Sequence, residues 1–179
     1  LQMQLVVYMD AAMQAEQRKH PDCQVRPAGI FYYNVKDPML QKEMEEDLDE
    51  LDPEIFKKLK MNGLVMDDRD VIENLDRTTI SLPLSYTTKG TLRKGSSVAS
   101  ETEFELLDAY VKKKITDIRE SILNGNAEAA PYEMGNRNAC TYCPYQGTCG
   151  FDRKIPGYEF RRLKQFADEE IWKAFAKEV

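Results

Sequence analysis

Three cysteines close together near the end of the chain constrain its fold more than any other feature. Cys140, Cys143 and Cys149 form a C-x2-C-x5-C pattern among turn-forming residues. Two residues between the first pair let both sulfurs face one point across a tight turn, which is the geometry of a metal centre. Tetrahedral zinc and cuboidal iron–sulfur clusters each take four ligands. The pattern therefore predicts a metal-binding loop that supplies three of the four.

The residue pattern alone leaves the identity of the metal open. Zinc ligands usually come as two pairs, but here the second pair is missing and the single histidine, His20, lies far upstream. An iron–sulfur cluster accepts three clustered cysteines and one distant one, and Cys23 is the only other cysteine in the chain. A lone cysteine before a strand is more often a small hydrophobic residue, however. Three buried thiols without a metal are the third interpretation.

Length and composition are those of an ordinary globular domain. The 179 residues are enough to bury a core, and the hydrophobic fraction of 42% and the charged fraction of 31% are average. No apolar run approaches the roughly 20 residues of a membrane span, and no signal peptide is recognisable. Clustered cysteines without an evenly spaced framework indicate a reducing compartment, so we expect a cytoplasmic protein. The chain opens on an apolar helical segment without an initiator methionine, which suggests a fragment of a larger protein.

The net charge of −6 is distributed unevenly along the chain. Residues 37–76 contain 14 acidic and 5 basic residues, and we interpret this segment as an acidic insert. Residues 77–100 contain four basic residues and no acidic one, and Lys89, Arg93 and Lys94 stand there beside threonines and serines. Such side chains donate hydrogen bonds to phosphates, so the segment is a candidate DNA-binding surface. The alternative is an exposed hairpin with ordinary surface lysines.

Hydrophobic periodicity and turn signals predict a mixed α/β fold. Leu5, Tyr8 and Ala12 recur at helical spacing within a helix predicted over residues 1–19. The aromatic and β-branched run over residues 25–35 predicts a strand buried on both faces. Four shorter features follow: an acidic loop or short helix at 36–52, a short helix at 53–59, a helical turn at 65–76, and a β-hairpin or extended loop formed by 80–86 and 91–94.

One long helix and the cysteine loop dominate the C-terminal half. Ser100 and Glu103 form a capping box. The predicted apolar face of the helix comprises Phe104, Leu107, Val111, Ile115, Ile118 and Ile122, before Asn124-Gly125-Asn126 ends it. Residues 126–157 have little periodicity, so a bound metal would account for their order. A final helix is predicted at 168–177, with Trp172 as a core anchor.

The first helix carries a second motif. Gln4 and Tyr8 form a Q-x-x-x-Y pattern, and residues four apart share one helical face. Together with the cysteine pattern, it resembles RecB-type nuclease domains that carry an iron–sulfur cluster, which belong to the PD-(D/E)-x-K superfamily. The long insertion between the motifs resembles the AddB branch, whose members are subunits of bacterial AddAB helicase–nucleases. The resemblance to its C-terminal end also rests on residues 1–5, 29–33, 94–100 and 131–132.

This resemblance implies a fold, a site and partners. Residues 1–179 would form a single-domain fragment, the C-terminal part of a restriction-endonuclease-like α/β nuclease domain with a metal-stapled loop at about 126–157. Gln4 and Tyr8 would lie beside the active site. The three clustered cysteines would ligate a 4Fe-4S cluster whose fourth cysteine lies upstream. DNA and an AddA-type helicase–nuclease subunit would be the partners, in double-strand-break repair and recombination.

The same resemblance implies that the catalytic residues lie upstream of the Q-x-x-x-Y helix. These are the carboxylates that bind Mg²⁺ and the lysine of the D-x-K motif. We therefore expect the fragment itself to be inactive. Asp67, Asp68 and Asp70 offer no substitute, because no lysine follows them at motif spacing. One alternative is a Cas4-like iron–sulfur exonuclease, which the insertion of more than a hundred residues between the motifs disfavours. The other is a zinc-stapled, non-enzymatic interaction module.

Overall fold

The computed structural model describes residues 3–33, 35, 55–56 and 58–179. Within it the chain forms two compact units, Leu1–Val111 and Lys112–Val179. The predicted acidic loop or short helix at 36–52 lies outside the described residues. Of the predicted helix at 53–59, the described residues 55, 56 and 58 are helical.

The first unit is built around a three-stranded sheet. Strand β2 (Asn62–Met66) lies between β1 (Gly29–Tyr32), to which it is antiparallel, and β3 (Val98–Ala99), to which it is parallel. Helix α1 (Gln4–Lys19) precedes β1, and helix α2 (Arg69–Leu75) follows β2. Helix α3 (Glu101–Leu123) begins in this unit and ends in the second.

The core of the first unit is small and apolar. Val65, Ile72, Leu82 and Leu84 form one buried cluster, and each is 2% exposed or less. Val65 comes from the central strand and Ile72 from α2, so burial of these side chains fixes the helix against the sheet. Asp68 caps α2, because its carboxylate accepts from the amides of the first helical turn at 2.9 and 3.3 Å.

A glycine permits the close approach of β1 and β2. Gly63 pairs with Phe31 in the antiparallel register and has φ +154°. A Cβ atom at this position would stand only 2.0 Å from the carbonyl oxygen of Ile30. Any larger residue would push the two strands apart, so the sheet requires glycine here.

Two predictions for the segments of this sheet need correction. The predicted strand at 25–35 is shorter, spanning Gly29–Tyr32, and is half-buried because it pairs on one side only within the described sheet. The prediction of a helical turn over 65–76 was wrong at its start. Val65 and Met66 end the buried central strand, and helix begins only at Arg69. The apolar run 64–66 was too short to predict a strand, because it lies between Gly63 and the acidic residues that begin at Asp67.

The second unit contains another three-stranded sheet and two helices. Strand β4 (Tyr132–Met134) lies between β5 (Arg137–Asn138), which is antiparallel to it, and β6 (Arg161–Arg162), which is parallel. The short helix α4 (Gln146–Cys149) lies in the cysteine loop. Helix α5 (Asp168–Glu178) closes the chain, and the Lys114 ammonium pairs with the Glu178 carboxylate.

Helix predictions were the most accurate. Helix α1 ends at Lys19, before Pro21, and α5 matches the predicted 168–177 within a residue. The capping box of α3 is formed: the Ser100 amide donates to the Glu103 carboxylate at 2.7 Å, and the Glu103 amide donates back to Ser100 Oγ at 3.3 Å.

The predicted apolar face of α3 is buried only in part. Phe104 and Val111 are buried, whereas Ile115, Ile118 and Ile122 are 41–69% exposed. Trp172 is half-buried and packs edge-on against Phe175 of its own helix, so it is not the predicted core anchor. None of the helices among the described residues is long and apolar enough to cross a membrane.

Candidate functional site

The predicted Gln4–Tyr8 pair is formed on α1. The Gln4 side-chain amide donates to the Tyr8 hydroxyl at 2.6 Å, and both side chains are exposed. Val6, between them in sequence, is 4% exposed and turns toward the interior. The burial of Val6 therefore orients the motif toward solvent. The Tyr8 hydroxyl keeps its own proton free to donate to a ligand, because in this hydrogen bond it accepts.

Tyr8 also lines an apolar groove of about 420 Å³. One wall consists of the same helix, with Leu5, Met9 and Met13, and the other wall of residues 25–31, which include the start of β1. The Tyr8 ring thus forms part of the apolar groove, while its hydroxyl is held by the hydrogen bond from Gln4.

The basic segment, predicted to be a hairpin or an extended loop, forms a short hairpin. Tyr86 and Leu92 form an antiparallel bridge, and the Thr87 amide donates to the Thr91 carbonyl at 2.7 Å. Gly90 adopts the positive φ of +76° that the turn requires. The side chains of Lys89, Arg93 and Lys94 are exposed, and no ion pair to any of them is found in the described ranges. The hairpin therefore presents three cations to solvent.

The cysteine loop is held by turns of the backbone. The Cys140 amide donates to Asn138 Oδ1 at 2.9 Å, and the Cys143 amide donates to the Cys140 carbonyl at 3.2 Å. Cys149 ends α4, and Gly150 follows in the left-handed conformation at φ +70°. Because amides and carbonyls make these bonds, none of the three sulfurs is committed to holding the loop.

All four cysteines are free thiols. Cys140 and Cys143 are half-buried, and Cys149 and Cys23 are exposed, so the interpretation as buried thiols or small hydrophobic residues does not hold. Among the residues that the structure describes, no three His, Cys, Asp or Glu side chains come together as a metal-binding group. The donor set suits zinc or an iron–sulfur cluster in type and supplies three thiolates, but the loop is not assembled around a common point.

Of the three acidic residues considered as catalytic substitutes, Asp68 has a structural role. Asp68 caps α2 and lies 3.4 Å from the Arg26 guanidinium. Sequence reasoning also missed an Asp-x-Lys tripeptide, Asp152-Arg153-Lys154, which is the only Asp/Glu-x-Lys in the chain. It lies in an exposed turn, where Asp152 Oδ1 accepts from the Lys154 amide at 2.9 Å. Its aspartate therefore caps a turn, while Arg153 of the same tripeptide lines an open cavity of about 580 Å³.

Two tyrosines of the cysteine loop point into solvent. Tyr142 is 95% exposed and Tyr145 is 70% exposed, so neither packs over the cysteine loop. Phe151 instead forms the local aromatic cluster, with ring centroids 5.6 Å from Tyr158 and 5.0 Å from Phe160.

Comparison with known proteins covers the whole chain. The family model described as the PD-(D/E)XK nuclease superfamily matches residues 1–150, from α1 through Cys149. A relative from Thermoanaerobacter sp. (strain X514) is 37% identical over 183 aligned residues, and one from Lachnoclostridium phytofermentans is 39% identical over 194. The name of both describes a subunit of an ATP-dependent helicase/deoxyribonuclease.

A third relative with the same name, from Clostridium kluyveri, is 36% identical over 183 residues. These alignments include 99–100% of this chain but only 16% of each relative. The chain thus spans about a sixth of the length of these relatives. Because the family model matches most of the chain, including both motifs that the sequence singled out, the chain belongs to the PD-(D/E)XK nuclease superfamily.

Proposed function

We propose that this chain is the C-terminal portion of an AddB-like helicase–deoxyribonuclease subunit, which acts on DNA ends in double-strand-break repair and recombination. The observation that carries the proposal is the alignment of nearly the whole chain, at 34–39% identity, with relatives named for an ATP-dependent helicase/deoxyribonuclease. The parent protein would work in the cytoplasm with an AddA-type helicase–nuclease subunit.

In this proposal α1 borders the nuclease centre without performing the chemistry. The hydrogen bond from Gln4 holds the Tyr8 hydroxyl in place, and the exposed pair is suited to contact a phosphate oxygen of the DNA. Lys89, Arg93 and Lys94 would contact the DNA backbone from the hairpin, whose exposed cations support this role. The hairpin binds by charge, so it would contribute affinity without sequence preference.

The catalytic carboxylates and lysine would lie in the rest of the parent protein. Bound Mg²⁺ would supply Lewis-acid activation of the scissile phosphate and of the attacking water. The only Asp-x-Lys in this chain caps its own turn, which supports an inactive fragment. To test this, the chain and the parent protein are incubated with labelled single- and double-stranded DNA and Mg²⁺ or Mn²⁺. Cation-dependent cleavage that copurifies with the isolated chain would contradict the proposal.

Cys140, Cys143 and Cys149 would supply three ligands of a 4Fe-4S cluster, and a cysteine elsewhere in the parent would supply the fourth. A cluster would add ordering free energy to a loop that has almost no buried apolar side chains of its own. The free thiols and the backbone-held turns support this role, because the sulfurs remain available. The cluster in the isolated chain would be incomplete.

Metal analysis separates this proposal from a zinc-stapled, non-enzymatic module. The parent protein and the chain are purified anaerobically, and iron, acid-labile sulfide and zinc are measured before and after exposure to air. We expect about four irons per parent chain and fewer, air-sensitive irons in the fragment. Stoichiometric zinc in both, without sulfide, would favour the interaction module instead.

A further inference from the structure

The small sheet of the second unit gathers arginine and tyrosine side chains on one face. Residues directly opposite each other on neighbouring strands share a face, and successive residues alternate between faces. The register pairs Tyr132 with Arg161 and Met134 with Arg137. Since Tyr132 and Met134 are two residues apart on β4, all four lie on the same side of the sheet. We call this side the arginine–tyrosine face.

The opposite side of the same sheet provides an internal comparison. Glu133, Asn138 and Arg162 lie there by the same register. Arg162 Nε stands 3.6 Å from Glu133 Oε2, its neighbour on the adjacent strand. The positive charge on this side is therefore partly neutralised within the sheet itself.

The charges on the arginine–tyrosine face are not neutralised in this way. Arg137 and Arg161 are exposed, and within the described ranges neither forms an ion pair. Glu128 and Glu159 line an open cavity of about 580 Å³ together with Arg161, but neither reaches it as an ion-pair partner. Two guanidinium groups thus remain available as forked donors for phosphate oxygens.

The tyrosine on this face is available as a stacking platform. Tyr132 is 39% exposed, and Arg161 lies beside it at the strand separation of about 4.8 Å. Arg137 lies on the other neighbouring strand, two residues farther along, at a diagonal distance of roughly 8 Å. A ring between two cations on a sheet can stack on an unpaired base while the arginines contact the phosphates that flank it. A paired base offers no free face, so a duplex would not use the ring in this way.

We propose that the arginine–tyrosine face is a binding site for single-stranded DNA, with Tyr132 stacked on a base and Arg161 and Arg137 on the neighbouring phosphates. The proposal rests on the proposed function for its choice of DNA as the ligand. It adds a second DNA contact, in the second unit, to the hairpin of the first. Residues 131–166 support it as a whole, since they contain six basic and three acidic residues in a chain of net charge −6.

The test compares point variants on the two sides of the sheet. Binding of the 179-residue chain to a fluorescent oligothymidine of about 20 nucleotides is followed by anisotropy over a range of salt concentrations. We expect R161Q and R137Q each to weaken binding about three- to ten-fold and to reduce the salt slope by about 0.7. Y132A should weaken binding about five-fold or more and leave the salt slope unchanged, because stacking releases no counterions.

The matched control is R162Q on the opposite side. It removes the same charge from the same strand, but Glu133 already offsets that charge, so binding should change less than about two-fold. A duplex hairpin oligonucleotide is the second control, and Y132A should bind it as the unaltered chain does. Circular dichroism of every variant shows whether the sheet and helices are retained, and only folded variants are compared.

The results that would overturn the proposal are distinct from those that would overturn the proposed function. If R162Q weakens binding as much as R161Q, affinity follows net charge and the face is not a site. If the folded chain does not bind oligothymidine, or Y132A binds it unchanged, the stacking platform is wrong. Either result leaves the nuclease activity of the parent protein untouched. Absence of DNA cleavage by the parent would instead refute the proposed function.

Discussion

Replacing Gly63 by alanine tests whether the approach of β1 and β2 limits the stability of the first unit. The added Cβ would lie 2.0 Å from the Ile30 carbonyl oxygen and 2.9 Å from the Phe31 Cα, both of which are backbone atoms. Backbone cannot rotate away as a side chain can, so the strands must separate or Gly63 must change its φ of +154°. Strain at such a φ alone costs about 1–3 kcal/mol, and the clash adds loss of strand hydrogen bonds. We expect a total of about 3 kcal/mol or more.

Gly90→Ala is the control for this experiment. Gly90 also has a positive φ, +76°, but a Cβ there would meet no atom within 4 Å. Its replacement should cost about 1 kcal/mol from backbone conformation alone. Urea unfolding followed by circular dichroism gives both values, and hydrogen exchange of the β1 amides shows whether the damage is local. If the two variants lose equal stability within about 0.5 kcal/mol, close strand approach is not what requires glycine at position 63.

Three further predictions concern a helix cap, a titrating loop and the cysteines. Ser100→Ala should destabilise the chain by about 1 kcal/mol by removing the capping box of α3, whereas the exposed Thr102→Ala should cost less, as measured by urea unfolding. Burial acts to raise the pKa of Asp76, but its hydrogen bonds outweigh this and lower the pKa. Its contribution to stability should thus be complete above the ordinary aspartate pKa and disappear as the pH falls through the lowered value. Thermal melting of Asp76→Asn should lack this acid-side dependence, and an unchanged pH profile would refute the assignment. If the parent protein holds the proposed cluster, Cys143→Ala should lower its thermal stability, the protease resistance of the loop and its DNA affinity together. ATP hydrolysis by the proposed partner subunit should be much less affected. Loss of a cluster without these changes would refute the role of a staple.

The helices were predictable because their signals are local. A capping box, a proline after the last turn and a repeat of apolar residues every three to four positions each lie within one helix. Helix α3 shows that these local signals do not predict which part of a helix is buried. Its apolar repeat runs through Ile122, yet burial ends at Val111, because periodicity identifies a face without identifying what covers it.

The central strand escaped prediction because its signal is not local. Gly63 reads as a helix stop in sequence, and the three apolar residues after it are too few to show a period of two. Val65 becomes the most buried residue of the core only by pairing with Gly29 and Val98, which are distant in sequence. The same reasoning applies to β4, β5 and β6, whose two- and three-residue lengths carry no pattern at all.

The two motifs differ in how far their sequence spacing predicts the positions of their side chains. The Q-x-x-x-Y motif could be translated directly into geometry, because helical spacing dictates that Gln4 and Tyr8 meet. The C-x2-C-x5-C motif specifies ligand chemistry but not a folded arrangement, since its turns are satisfied by backbone hydrogen bonds whether or not the sulfurs converge. Ordering of such a loop around a metal must draw on binding free energy and on a fourth ligand. Sequence spacing therefore predicts which residues could be ligands, but it does not predict how the three sulfurs converge, because their convergence depends on a ligand outside the loop.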